Sequence, residues 1–479
     1  MAQEHFDRLT AIDASFLHQE GPSSHMHVGA ISLFEGPPPP YTELLDALRE
    51  RLHLVPRYRQ KLSVPPAASG RPLWVDDPTF NLEYHVRQTA LPRPGSEAQL
   101  MLLVARIFSQ QLDRSKPLWE TWLVEGLDNG GFALISKTHH ALIDGVAGVD
   151  LAQVIYDLRP VPTEIDHPGE PWRPSPEPTP AGLLAAGTLG LLRTGVNTAA
   201  AAAGLALRPM TALKGAREAA EGLGEVAWAG MNPAPDTPLN VEIGPHRRFA
   251  GVRTQLDDFK TVKDAFGGTV NDVVLTVVSG ALRGWLQSRG MRTEGMELRA
   301  LVPVSIRGEG ERGTGGNRLA AMRGPLPVYI DDPIARLQAV REGMGALKES
   351  KQAVGAEVLA SVQNFAPPTI LAQASRLNFS TRLFNLIVTN VPGPQFPLYV
   401  RGRELLDVFP IAFLPKDHAL AIAIMSYNGH MNFGLLGDFD ALPDIDAIAD
   451  GIDASLAELL ALARKAGSGA RDVRSAVSV

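Results

Sequence analysis

The chain has 479 residues, 45% of them hydrophobic, a formal net charge of -7 at pH 7 and no cysteine. Such a length and apolar content support a large core and two or three domains. The acidic balance excludes a nucleic-acid binder, which needs clustered Lys and Arg to displace phosphate counterions, and the missing thiols exclude disulfides, thiolate metal sites and a Cys nucleophile.

The opening Met1-Ala2-Gln3-Glu4-His5-Phe6-Asp7-Arg8 carries acid early and no basic region ahead of an apolar stretch, so no secretory leader is expected and a reducing cytoplasm is the natural setting. Residues 6–157 mix helical and strand patterns. Near their end, Gly131-Phe132-Ala133-Leu134-Ile135-Ser136-Lys137-Thr138 reads as an apolar strand running into His139 and His140. From Pro160 the chain turns dense in proline, then rich in Ala, Gly and Leu over 181–210, with Arg193, Asn197 and Arg208 interrupting. That composition is too weak for a spanning helix; it reads as a helix packed on the protein or one lying at a lipid surface. A second half begins near Pro245. It holds an apolar stripe at helical spacing, Val273, Val274, Val277, Ala281 and Trp285, behind Thr269-Val270-Asn271-Asp272, then strands over 298–306 and 385–389. Residues 420–427, Asn428-Gly429 and residues 430–436 form a hairpin signal, because Asn-Gly tolerates the positive φ of a type I′ turn. The expected architecture is α/β (α+β), as two halves, 1–160 and 245–465, joined by a long, partly helical linker over 161–244, with a disordered polar tail over 466–479.

Alternation along a strand sets Phe132, Leu134, Ser136, Thr138 and His140 on one side and Ala133, Ile135, Lys137 and His139 on the other, so the two histidines cannot both face one substrate. Asp144, through a turn relaxed by Gly145, can fold back to orient an imidazole or to anchor the loop. A neutral imidazole with a pKa near roughly 6.5 can take a proton from a hydroxyl attacking a thioester, without a covalent intermediate. No Gly-x-Ser-x-Gly elbow offers a rival nucleophile. Taken alone, however, adjacent histidines before an apolar run are more often structural than catalytic. They diverge too far to hold a metal with Asp144, and no metal is expected. Gly308-Glu309-Gly310-Glu311-Arg312-Gly313 fits a dinucleotide pattern, but no apolar helix follows it. Asn271 has two readings: it caps the helix that follows, or it stands where a helix N-terminus faces an oxyanion.

The segment His139-His140-Ala141-Leu142-Ile143-Asp144-Gly145 resembles the HHxxxDG hallmark of CoA-dependent acyltransferases, and the wider pattern resembles the bacterial wax ester synthase/acyl-CoA:diacylglycerol acyltransferases. Residues 9–17 with Glu20, Met26-His27-Val28-Gly29, Trp74-Val75-Asp76-Asp77-Pro78, Tyr84-His85-Val86, Pro117-Leu118-Trp119, Asn271-Asp272, Pro303-Val304-Ser305, Gly316-Asn317 and Asn390-Val391-Pro392-Gly393-Pro394 recur in that family's order. The resemblance covers about residues 5–465 and is weakest across the linker.

The resemblance implies two chloramphenicol-acetyltransferase-like halves with a channel between them. It implies acyl-CoA as co-substrate with no cofactor, and diacylglycerol or a long-chain alcohol as acceptor, reached by peripheral contact with a membrane or lipid droplet. His140 is then the general base, His139 supports loop geometry, and Asp144 is an architectural anchor paired with an arginine, for which Arg307 is the candidate. Gly145 permits the turn, Asn271 belongs at the site, and Glu20 is a channel contact or a solvated loop carboxylate. Two rivals share the scaffold: a condensation-type acyltransferase fed by a carrier protein, and a lipid-binding protein that has lost its chemistry. The His-x4-Asp spacing of His139 and Asp144 also fits membrane glycerol-phosphate acyltransferases, but by spacing alone.

Overall fold

The structure, a computed structural model, describes residues 7–66, 71–143, 155–161, 172–177, 179, 181–182, 232–305, 319–349 and 379–477. The first part contains β1 (Asp7–Arg8), α1 (Ala11–Gln19), β2 (His27–Phe34), α2 (Tyr41–Arg51), β3 (Gln60–Ser63), β4 (Leu73–Asp76), α3 (Leu82–His85), β5 (Val86–Ala90), α4 (Glu97–Phe108), β6 (Trp119–Glu125), β7 (Phe132–His139) and α5 (His140–Ile143). The second contains β8 (Arg247–Gln255), α6 (Leu256–Phe266), α7 (Val270–Ser288), β9 (Leu298–Ser305), β10 (Leu319–Leu326), α8 (Pro333–Glu349), β11 (Leu386–Pro392), β12 (Tyr399–Val400), β13 (Arg403–Ile411), β14 (Leu420–Tyr427), β15 (His430–Asp438) and α9 (Ile445–Val477). The linker expected over 161–244, with its helical insert, falls largely outside the described residues.

Two six-stranded sheets carry the fold, in the orders β12-β13-β2-β7-β6-β5 and β10-β9-β11-β14-β15-β8, beside a small sheet β1-β4-β3. β7 lies inside the first sheet, antiparallel to β2 on one side and to β6 on the other. Its alternating side chains serve two cores. Phe132 and Leu134 pack with the α2 leucines and Trp119, whereas Ala133 and Ile135 join α4 and the large core shared with the second sheet. A strand buried on both faces loses the polar alternation of a half-exposed one, and β14 reads the same way: Leu420, Ala421, Ile422, Ala423 and Ile424 are all buried.

The second sheet is covered by α7, whose Val273, Val274, Val277, Val278, Ala281, Leu282 and Trp285 are buried against α8 and α9. Burying each such side chain contributes about 1.5–3 kcal/mol before entropy is counted. The hairpin forms at Asn428 (φ 45°) and Gly429 (φ 86°), as its sequence demands. The tail departs from expectation. Instead of lying outside secondary structure after Ala466, it continues α9 to Val477 through Gly467 and Gly469, since extending a helix already nucleated costs less than starting one.

Chain order does not reveal that β12 and β13, which follow Pro245, complete the first sheet: Leu405 pairs with Phe34, and Ile411 with Gly29. β13 also packs against β14 and β15 of the second sheet. At this crossing a Cβ on Gly434 would sit 1.9 Å from the Pro410 carbonyl oxygen, so the two backbones approach as only glycine allows. Around it, Arg253 of β8 reaches both Glu97 oxygens on α4 at 2.8 Å and Asp407 on β13 at 2.9 Å. Gly434→Ala is expected to lower unfolding stability by about 1–3 kcal/mol through overpacking, read as a shifted urea midpoint.

Candidate active site

The histidine pair stands where β7 ends. Successive strand amides point to opposite neighbours, so the His139 N–H donates to the Leu118 carbonyl at 2.9 Å and the His140 N–H to the Met26 carbonyl at 2.8 Å. His140 is not itself on the strand; it opens the short α5, and the alternation ends one residue earlier than its pattern suggests. The Pro117-Leu118-Trp119 run is an anchor for this end of the sheet. Trp119 donates to the Tyr58 carbonyl at 2.8 Å and stacks on His85, with ring centroids 4.7 Å apart. His85 in turn lies 2.7 Å from the Trp119 carbonyl through Nδ1.

The His139 side chain is buried, and among the described residues Nδ1 has a hydrogen-bond partner while Nε2 has a carboxylate beyond hydrogen-bond distance. Nδ1 accepts from the Ala141 N–H at 3.1 Å, which requires a lone pair there and so places the proton of a neutral ring on Nε2. Nε2 faces Glu20 Oε2 at 3.6 Å. Glu20 also lies 3.3 Å from His27 Nε2 and accepts from Arg114 Nε at 2.8 Å, with only 4% of its side chain exposed. It is therefore not a solvated loop carboxylate. Burial alone would raise the Glu20 carboxyl, but the His139 and His27 rings that face it outweigh burial and hold Glu20 well below the usual carboxylate range. Burial pushes His27 down to about 3, so that ring is neutral. Its Nε2 accepts from the Leu112 N–H at 3.4 Å.

Beside His139 on the same face of β7, the buried Lys137 ammonium donates to the Ile107 and Gln110 carbonyls at 2.8 and 2.6 Å and meets Glu120 Oε1 at 3.1 Å. A cation at the C-terminal end of α4 complements the helix dipole, which is a structural use of a buried lysine.

The His140 ring stacks on Phe16 of α1, centroids 4.0 Å apart and 29° between planes, and meets the edge of Phe413 at 5.5 Å. Phe413 comes from the loop after β13, so the two parts of the chain meet on this imidazole. Each such aromatic pair contributes about 0.5–1.5 kcal/mol and fixes ring orientation. Asn271 does not cap α7: Thr269 does, in a reciprocal box with Asp272, at 3.2 Å from Thr269 Oγ1 to the Asp272 N–H. A hydroxyl one residue before the helix outcompetes an amide two residues into it, because only the former has the extended backbone of a cap. The Asn271 amide oxygen instead accepts from Asn390 at 3.5 Å. Asp144, Gly145 and Arg307 lie outside the described residues. Among the described residues no group of three or more His, Cys, Asp or Glu is placed to hold a metal.

The sequence reading missed His27, Arg114, Phe16 and Phe413 as parts of this site. His27 and Phe16 stood inside quoted motifs, and the β2–β7 register sets His27 opposite His139. Nothing local marks Arg114 or Phe413.

Residues 9–274 match the family described as the wax ester synthase/diacylglycerol acyltransferase catalytic domain, and residues 315–460 match the WS/DGAT C-terminal domain. The chain belongs to this family. A protein of Mycobacterium tuberculosis named probable diacylglycerol O-acyltransferase tgs2 is 36% identical over 95% of the chain and 98% of its own length. Another from that organism, named tgs1, is 33% identical over 96% and 97%. The solved wax ester synthase/diacylglycerol acyltransferase of Marinobacter aquaeolei VT8 is 30% identical, with a TM-score of 0.65 over 95% of this chain and all of its own. The first condensation domain of the calcium-dependent antibiotic synthetase shares the fold alone, at 15% identity and a TM-score of 0.57 over 96% and 97%. The chain is accordingly an acyl-CoA-dependent O-acyltransferase of mixed α/β architecture.

His27 and His85 make stability depend on pH. Burial pushes His85 down to about 4 and His27 to about 3, from an ordinary 6.5. The unfolded chain takes up protons that the folded chain refuses, so stability present above pH 6.5 is lost as pH falls through that window. Replacing His85 with Phe is expected to flatten the slope by one proton, about 1.4 kcal/mol per pH unit, in urea titrations between about pH 6 and 4.5.

Proposed function

We propose that His140 is the general base that moves a long-chain acyl group from acyl-CoA to the hydroxyl of diacylglycerol or a long-chain alcohol. The observation that carries this reading is the contrast within the pair: His139 is buried with Nδ1 accepting from Ala141, whereas His140 is half-buried, its ring against Phe16 and Phe413 where the two parts of the chain meet. His140 takes the hydroxyl proton as the oxygen attacks the thioester carbonyl. The tetrahedral oxyanion collapses, the carbon–sulfur bond breaks, and the proton returns from the imidazolium to the CoA thiolate.

The Val270 and Asn271 amides at the start of α7 are the donors we assign to the oxyanion, since the leading amides of a helix have no intrahelical acceptor and the Thr269 cap takes the one at Asp272. Asp144 keeps its assignment as an anchor, with Arg307 as its partner and Gly145 at the turn. Both lipid substrates partition into a lipid phase, so peripheral contact with a membrane or droplet surface from the cytoplasm completes the reading. No single described helix is long and apolar enough to cross a membrane. Likeness to condensation domains is one of fold and gives no support to a carrier-fed reaction.

His140→Ala is expected to cut turnover by about 100- to 10,000-fold in an assay that offers labelled acyl-CoA with diacylglycerol and a fatty alcohol in competition. Near-normal turnover would remove His140 from the mechanism, and the product ratio of the unaltered protein reads acceptor preference directly.

A further inference from the structure

The supports of His140 close on themselves. Phe16, under the imidazole, belongs to α1. Glu20 terminates that helix, its N–H donating to the Phe16 carbonyl at 3.1 Å. The Glu20 carboxylate faces His139, His139 accepts from the Ala141 N–H, and Ala141 follows His140 in the chain. Every link from ring to helix to carboxylate to histidine and back to ring is thus a named contact.

From this closed circuit we infer that Glu20, braced by Arg114 and His27, is a positioning residue for the acyl transfer: its carboxylate holds His139 in the Nε2–H tautomer and thereby fixes the turn that carries His140. The inference rests on His140 as the base. Were His139 to move its proton to Nδ1, that nitrogen would face the Ala141 N–H as a second donor, and the turn would be pushed apart. A buried carboxylate 3.6 Å from Nε2 opposes this, because in a low-dielectric interior a negative charge favours the N–H edge over the lone pair of the facing ring. The carboxylate is itself expensive to bury and is held by a cation from outside: Arg114, 47% exposed, donates to it and also to the Leu17 carbonyl at 3.0 Å, which ties the 110–116 loop to the end of α1. An apolar side chain of similar volume would fill the space more cheaply, so the carboxylate is explained by orientation rather than by stability.

The test uses the full-length enzyme with Glu20→Gln and Glu20→Met. Expected is a fall in kcat of about 10- to 100-fold with KM for acyl-CoA held within about twofold, since a base displaced by a fraction of an ångström loses rate and not binding. In protein carrying nitrogen-15 histidine, the His139 resonances, assigned by their loss in His139→Gln, should shift from a single Nε2–H form to a tautomer mixture in Glu20→Met. Thermal melting identifies a variant that does not fold; if Met fails, Gln carries both readouts. Unchanged kcat with an unchanged His139 tautomer would overturn the proposal. If His140→Ala is inactive while the Glu20 variants behave as wild type, the base stands and the positioning role falls; if His140→Ala is active, the base falls, and the tautomer still reports directly on Glu20.

Discussion

The pairing of β13 with β2 is the constraint on which the rest depends. Backbone hydrogen bonds from Leu405 to Ile411 sew a late segment of the chain into the first sheet, and the loop that leaves β13 delivers Phe413 to the edge of the His140 ring. Because β13 also lies against β14 and β15, the same strand sets the spacing between the sheets. At that crossing Gly434 lies under the Pro410 carbonyl, where a Cβ would not fit.

Around the histidines the polar groups are deeply buried, and Glu20 Oε1, His27 Nδ1 and His139 Nε2 have no hydrogen-bond partner among the described residues. Lys137 spends its ammonium on two helix-end carbonyls and Glu120, and Glu20 spends its charge on Arg114 and two imidazoles. Charged residues that look functional by type are therefore sorted by their partners: Lys137 serves the α4 terminus, while Glu20 touches the histidine motif.

The sequence was legible where local rules suffice. The 131–138 strand, the Asn428-Gly429 turn and the α7 stripe each declare themselves by alternation, by positive φ or by a 3.6-residue period. Ordered motifs gave the family and, with it, the chemistry. What stayed hidden depends on separation in the chain: Arg114 meets Glu20 across 94 positions, and Phe413 approaches His140 only through the crossing of β13. Of the two readings of Asn271, the cap falls because Thr269 holds that position, which only backbone geometry decides.

The late insertion of β13 has a consequence for how the chain is made. Glu404 donates to Glu35 across 369 positions, so during synthesis the outer edge of β2 waits for most of the polypeptide to emerge before its partner exists. Until then Ile31, Ser32, Leu33 and Phe34 present an apolar strand with unpaired amides, the kind of edge that recruits other chains. Closing so long a loop is slow, and the first half is left incomplete for the whole delay. Biogenesis of this enzyme thus carries a window of vulnerability that belongs to its topology, and conditions that shelter nascent strands should govern its yield more than the stability of the finished fold does.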